Sequence, residues 1–178
     1  MNYAWNWSVL FQAPYLGWLG QGIAMTMMVS IAAWIIALTL GTLIGILHSG
    51  ASGALRLVTG CYINVFRNVP LLLQMFLWFF VVPELLPKAA GTWLKRDLPH
   101  PEVVTAIVAL GLFTASRVAV QVAAGIAAVP RGQSMAAYAS GLSTLQRYKL
   151  VLLPQAFRIV VPPMTSEFLT ISRTRPSR

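Results

Sequence analysis

The chain has 178 residues, of which 57% are hydrophobic and only 10% charged. Soluble domains carry about 25% charged residues, so this composition excludes an ordinary water-soluble globule and points to a bilayer as solvent. The formal net charge of +9 would suggest nucleic acid in a soluble protein. Here the basic residues are scattered between apolar runs, where they suit membrane topology, and no nucleic-acid partner is expected. The single cysteine, Cys61, excludes an internal disulfide.

Residues 1–22 read as an extracytoplasmic N-terminal segment. Its Trp5, Trp7, Tyr15 and Trp18 form an aromatic belt at the interface. No cleavable signal peptide is expected. No Lys or Arg precedes the first apolar run, and that run is too long for a signal core. The first crossing is predicted over Ile23–Leu47, beyond the roughly 20 residues that a spanning helix needs. Within it Gly41 and Gly45 make a GxxxG, which either seats a neighbouring helix or arises by chance. The second crossing is predicted over Val69–Leu86. Pro70 suits its first turn, where a missing N–H costs little. Gln74 is a lone polar group there; it either contacts a ligand or bonds a neighbouring helix.

The third crossing is predicted over Val103–Val129 and is rich in small residues, as packed membrane helices tend to be. Arg117 sits near its middle. A charge at mid-bilayer costs about 2.5–3.5 kcal/mol on insertion scales and faces a cavity or a partner. Guanidinium pairs bidentately with carboxylate, so Arg117 is the best candidate for the substrate path. The alternative is an arginine satisfied by backbone carbonyls or a neighbouring subunit. A fourth apolar segment, Gln155–Ile171, is expected to be broken by Pro162 and Pro163.

Lys and Arg set the orientation. None precedes the first crossing, whereas Arg56 and Arg67 follow it with no acid between. The next connection is mixed, with Lys88, Lys95 and Arg96 against Glu84, Asp97 and Glu102. After the third crossing come Arg131, Arg147 and Lys149, again without an acid. The alternation places the N-terminus outside and residues 135–154 in the cytoplasm.

That stretch, "MAAYASGLSTLQRYKLVLLP", is the least membrane-like in the chain. Pro130 closes the third helix, and Ser134 is expected to cap the next. Gly141 suits the left-handed position that ends a helix. Ser143 and Gln146 make the S-x-x-Q of a capping box. Pro154 ends the second helix or begins the next. Two readings stand: a helical hairpin resting on headgroups, or a knob that docks into a partner.

The same residues resemble the permease subunits of bacterial ATP-binding-cassette importers, in particular those for polar amino acids. The family signature runs E-A-A, three residues, G, nine residues, I-x-L-P. This chain reads Met135-Ala136-Ala137, three residues, Gly141, nine residues, then Val151-Leu152-Leu153-Pro154. Methionine replaces the glutamate and valine the isoleucine. "FRNVPLLLQMFLWFF" is similar to the family's second-helix motif at Arg67, Pro70 and Gln74, with Asn64 where an acid is usual. "TASRVAVQVAAGI" is most like glutamate/aspartate permeases, with Val120 and Ala123 where an acid and a second basic residue often stand.

The resemblance implies an all-α integral membrane protein, a MetI-like transmembrane helix bundle over residues 23–171. It implies alternating access, with a cytoplasmic ATPase seated on Ala136, Ala137, Gly141, Leu153 and Pro154. A periplasmic amino acid-binding protein and a second permease subunit, identical or different, are the further partners. The expected location is the bacterial inner membrane, and the cargo an acidic amino acid passing Arg117 and Gln74. The chain carries no G-x-x-x-x-G-K-[ST], H-E-x-x-H or CxxC, and His48 and His100 are far apart in sequence. No enzyme activity, cofactor or metal is therefore expected, and the energy comes from a partner. A membrane anchor or assembly subunit without its own path is the rival reading.

The ending "ISRTRPSR" departs from the family, which continues similarly to Ile-Phe-Lys-Asn-Ser-Ala-Leu-Ala and then a last membrane helix. Deleting one T from ATC TTC AAG AAC TCG GCC CTC GCG yields the sequence found here. Residues 172–178 are thus read as a frameshifted tail, and the last helix is expected to be missing.

Overall fold

The structure, a computed structural model, describes residues 8, 11–50 and 52–172. They are almost entirely helical, with no strand among them. Two helices are each long and apolar enough to cross a membrane, α1 (Tyr15–Gly50) and Pro101–Ala128, here α5. At 1.5 Å per residue they span about 54 and 42 Å, more than a hydrocarbon core of about 30 Å. Helix α1 begins at Tyr15, so Tyr15 and Trp18 lie in its first turns, ring edge to ring face at 5.6 Å. Trp5 and Trp7 lie outside the described residues.

α1 and α5 meet along a seam of small side chains. Ser30, Ala33, Ala37, Gly41 and Gly45 recur at helical spacing and are all buried. Opposite them lie Gly111, Ala115, Val118, Ala119 and Val122, also buried. A Cβ on Gly41 would stand 2.7 Å from the Ala115 carbonyl oxygen, and one on Gly45 2.7 Å from that of Ala119. Lipid tails are as apolar as leucine, so close van der Waals contact must hold such a seam, and glycine permits it. The GxxxG is therefore a packing element, and its partner belongs to the same chain.

The register fixes the direction. Gly111 meets Ala33 and Ile36, while residues 115–122 meet Gly41 and Gly45, so both numberings rise together. The helices are parallel, and the chain must return between them. Extrapolating that register, the return covers about 40 Å along the bundle.

The return is not the single straight run expected over Val69–Leu86. It is a broken pair, α2 (Ala54–Asn68) and α3 (Leu71–Leu85), bent by 105°. The break has a local cause. The residue before a proline is pushed out of the helical region, and Val69, ahead of Pro70, is extended at φ −85°, ψ 126°. Helix α2 buries Thr59 and Ile63 and leaves Arg56 and Arg67 exposed. The Tyr62 hydroxyl donates to the Leu112 carbonyl at 2.8 Å, tying α2 to α5. His48 Nδ1 and Thr59 Oγ1, 2.9 Å apart, tie α2 to the end of α1. A short helix, α4 (Lys88–Thr92), runs on through a π turn, Trp93–Asp97, toward α5. Lys95 pairs with Glu84 at the end of α3.

Beyond α5 come α6 (Arg131–Ala139), α7 (Thr144–Arg147), a π turn (Tyr148–Leu152) and α8 (Leu153–Ser172). Ser134 caps nothing: α6 starts at Arg131, with Pro130 at the capping position. Pro130 supplies the fixed φ that opens a helix, so the start falls four residues early. Pro162 and Pro163 do not break α8, whose backbone stays helical through both. Each proline removes one backbone donor, and the bonds on either side hold the turn. Ala156 and Val160 of α8 join Ala37, Val118, Val122 and Ile126 in one buried cluster. The expected frameshifted tail falls on residues 173–178, outside the described residues, apart from Ser172 at the end of α8.

Candidate functional site

The hairpin of α6 and α7 forms as its sequence demands. At the end of α6 the Leu142 N–H donates to the Ala137 carbonyl at 3.3 Å and the Gly141 N–H to that of Tyr138 at 3.0 Å. This nested pair is a Schellman motif, which needs a left-handed residue at its second-last position. Gly141 supplies it at φ 76°. The capping box closes in both directions: Gln146 N–H donates to Ser143 Oγ at 3.3 Å, and Ser143 N–H to Gln146 Oε1 at 2.9 Å. Turn and cap together fix the angle between the two helices.

The hairpin presents an apolar outer surface. Met135, Tyr138 and Leu145 are 71%, 73% and 78% exposed, and Ala136 and Gly141 are exposed beside them. Ala137 does not share that surface. It is 6% exposed and faces its own chain. Leu153 packs against the buried cluster, while Pro154 is exposed. The named residues thus divide into an outer group (Ala136, Gly141, Pro154) and an inner one (Ala137, Leu153).

The hairpin sits at the C-terminal end of α1. Tyr148 packs against the buried cluster, and its hydroxyl lies 2.7 Å from where a Cβ on Gly50 would stand. Sequence reasoning missed this contact; the only signal was a tyrosine among the basic residues of the second helix.

Arg117 lies on α5 opposite the seam. Its neighbours Ser116 and Val118 are fully buried, whereas Arg117 is half-buried. Its guanidinium carbon lies 4.8 Å from the centroid of the Phe113 ring, one turn earlier. The ring face attracts the cation and partly offsets lost hydration. One turn later Gln121 has a buried Oε1 with no hydrogen-bond partner among the described residues. Arg117 and Gln121 form a polar stripe on the face that α1 leaves open.

Gln74 makes its hydrogen bonds within the broken return. It is 4% exposed, and its amide donates to the carbonyls of Phe66 at 2.9 Å and Val69 at 2.8 Å. Those carbonyls lie at the end of α2, where helical partners run out. Gln74 therefore staples the α2–α3 bend. Its Oε1 is buried without a partner among the described residues.

Parallel spanning helices, a broken return and a capped hairpin at one end make a membrane helix bundle, and its family can be stated. Residues 37–172 match the family of binding-protein-dependent transport system inner membrane components, and the chain belongs to it. It is an amino acid permease of the ATP-binding-cassette importers and not an enzyme. It is 46% identical to the glutamate/aspartate import permease protein GltJ of Escherichia coli (strain K12), over 96% of this chain and 73% of that protein. It is 31% identical to the glutamate/aspartate import permease protein GltK of Escherichia coli O6:H1, over 95% and 73%. A crystal structure of an amino acid ABC transporter with histidines shares its fold at a TM-score of 0.74 and 24% identity, over 96% of this chain and 74% of that one.

Proposed function

We propose that this chain is the permease subunit that carries glutamate and aspartate inward, driven by a separate ATPase. The observation that carries the reading is the hairpin, with its capped turn and exposed Met135, Tyr138 and Leu145. Large apolar side chains clustered at a helix-bundle end are covered in the working assembly. The ATPase is the partner that seats there, on Ala136 and Gly141, while Ala137 and Leu153 anchor the knob from within. The relatives named glutamate/aspartate import permeases support the acidic cargo.

Arg117 then serves the passing carboxylate. Its face of α5 is turned away from α1, so the path runs between this chain and a second permease subunit, identical or different. A periplasmic binding protein delivers the solute to the outer mouth. In this reading the N-terminus lies outside, residues 23–171 form the permease domain, and residues 135–154 its cytoplasmic coupling stretch. Gln74 takes part by holding the broken return that shapes the path.

The test is uptake of labelled glutamate and aspartate by the assembled transporter. Arg117→Ala lowers uptake at least tenfold while the ATPase still co-purifies. Unchanged glutamate uptake in that variant removes the acidic role of Arg117. An ATPase that never co-purifies with the unaltered chain, or never crosslinks at Ala136→Cys, removes the importer subunit itself.

A further inference from the structure

We infer that Tyr148 and Gly50 form the joint through which hairpin movement reaches α1. The inference rests on the proposed seat of the ATPase. A stroke applied to α6 and α7 needs a stiff path into both long helices. One path is plain: Leu153 packs against the buried cluster, and Ala156 and Val160 of α8 press on Gly125 of α5. A Cβ on Gly125 would stand 2.3 Å from Val160 Cγ2 and 3.1 Å from the Ala156 carbonyl oxygen, so nothing slack separates them.

The path to α1 is Tyr148. It follows Arg147, the last residue of α7, and opens the π turn. Its ring leans on the buried cluster, which fixes the side chain's direction. Its hydroxyl ends at Gly50, the last residue of α1. An aromatic ring has no internal freedom along its axis, so it transmits compression where a lysine or methionine would bend. Gly50 needs no left-handed backbone; it is helical and exposed. What its lack of a side chain provides is room for the tyrosine tip. Three parts of the chain meet here: the driven hairpin, the π turn and the inner end of α1. Tyr148 is a positioning residue and touches no substrate.

The distances give a compensation test. Removing the hydroxyl leaves the ring carbon Cζ 3.4 Å from a Cβ at residue 50, ordinary contact distance. Tyr148→Phe alone therefore opens a gap, and Gly50→Ala added to it closes the gap again. The assay is the assembled transporter in proteoliposomes, with binding protein and glutamate, reading solute carried per ATP hydrolysed. Tyr148→Ala is expected to lower that ratio at least fivefold and Tyr148→Phe about twofold to threefold. The double variant Tyr148→Phe/Gly50→Ala is expected to recover to within 1.5-fold of the unaltered ratio. In all three, ATPase co-purification stays unchanged. The inference is overturned if Tyr148→Ala leaves the ratio intact, or if the double variant is no better than Tyr148→Phe. It is equally overturned if the variants lose the ATPase, since the contact then only builds the hairpin. Failure of the unaltered chain to retain an ATPase speaks instead against the proposed function.

Discussion

Single atoms decide the α1–α5 seam. The Ala115 and Ala119 carbonyls are backbone and cannot step aside for a new side chain. Gly41→Leu or Gly45→Leu therefore overpacks the seam, at a cost of about 1–3 kcal/mol. Gly22 lies on the same helix with nothing within 4 Å of its Cβ position. Thermal unfolding in detergent is expected to show a lowered melting temperature for Gly41→Leu and none for Gly22→Leu. The residue scale is also where the sequence was least transparent. Gly41 and Gly45 were visible as a pattern, yet their partner was not, because spacing along one helix carries no information on which surface meets it. Gln74 was visible as an oddity, but its staple across the bend depends on the fold of α2 against α3. Ala137 sat in the motif with Ala136, yet one is buried and the other exposed, which depends on how α6 packs on its own chain.

At the scale of elements, the hairpin was legible and the broken return was not. Gly141, Ser143 and Gln146 act locally, so their chemistry could be read from order alone. Helix α2 precedes the crossing expected over Val69–Leu86, and Arg56, Arg67 and Asn68 interrupt its apolar residues. The signal was present at Thr59 and Ile63, four residues apart and both buried. Pro162 and Pro163 misled in the other direction, since helix-breaking tendencies yield to surrounding packing. The local devices in the hairpin make a definite prediction. Ser143→Ala removes one half of the capping box, worth about 1 kcal/mol. Gly141→Val forces a branched residue into the left-handed region, at about 1–2 kcal/mol. Amide hydrogen exchange in residues 142–147 is expected to quicken roughly fivefold or more, the factor that 1 kcal/mol represents. Exchange in α5 should stay as it was.

For the whole molecule, the register of the seam constrains topology more tightly than charge counting. Gly50 and the hairpin share one end of the bundle, and the start of α5 lies at the other. Single cysteines introduced at Gly53 and Gly132, in a Cys61→Ser background, are expected to react with an impermeant maleimide only from the cytoplasmic side. One at Lys88 should react only from outside. Labelling of Gly53→Cys and Gly132→Cys from opposite faces would be incompatible with parallel α1 and α5. The Lys and Arg alternation likewise puts the ends of α1 and α5 on one side, because insertion responds to charge near the ends of the spans, and the labelling tests its assignment of that side to the cytoplasm. Bundle architecture as a class was equally legible from the apolar runs and the spaced coupling motif. The contact of Tyr148 with Gly50 was not, since it depends on residues far apart in sequence meeting in space.

A pair of antiparallel helices nearly cancels its peptide dipoles. Two aligned ones reinforce, each bringing about half a negative charge to the terminus where its carbonyls run out. In this bundle both such poles fall at one rim, beside Arg56, Arg131, Arg147 and Lys149. Cations gathered at that rim thus neutralise a lopsidedness created by the polypeptide's own backbone.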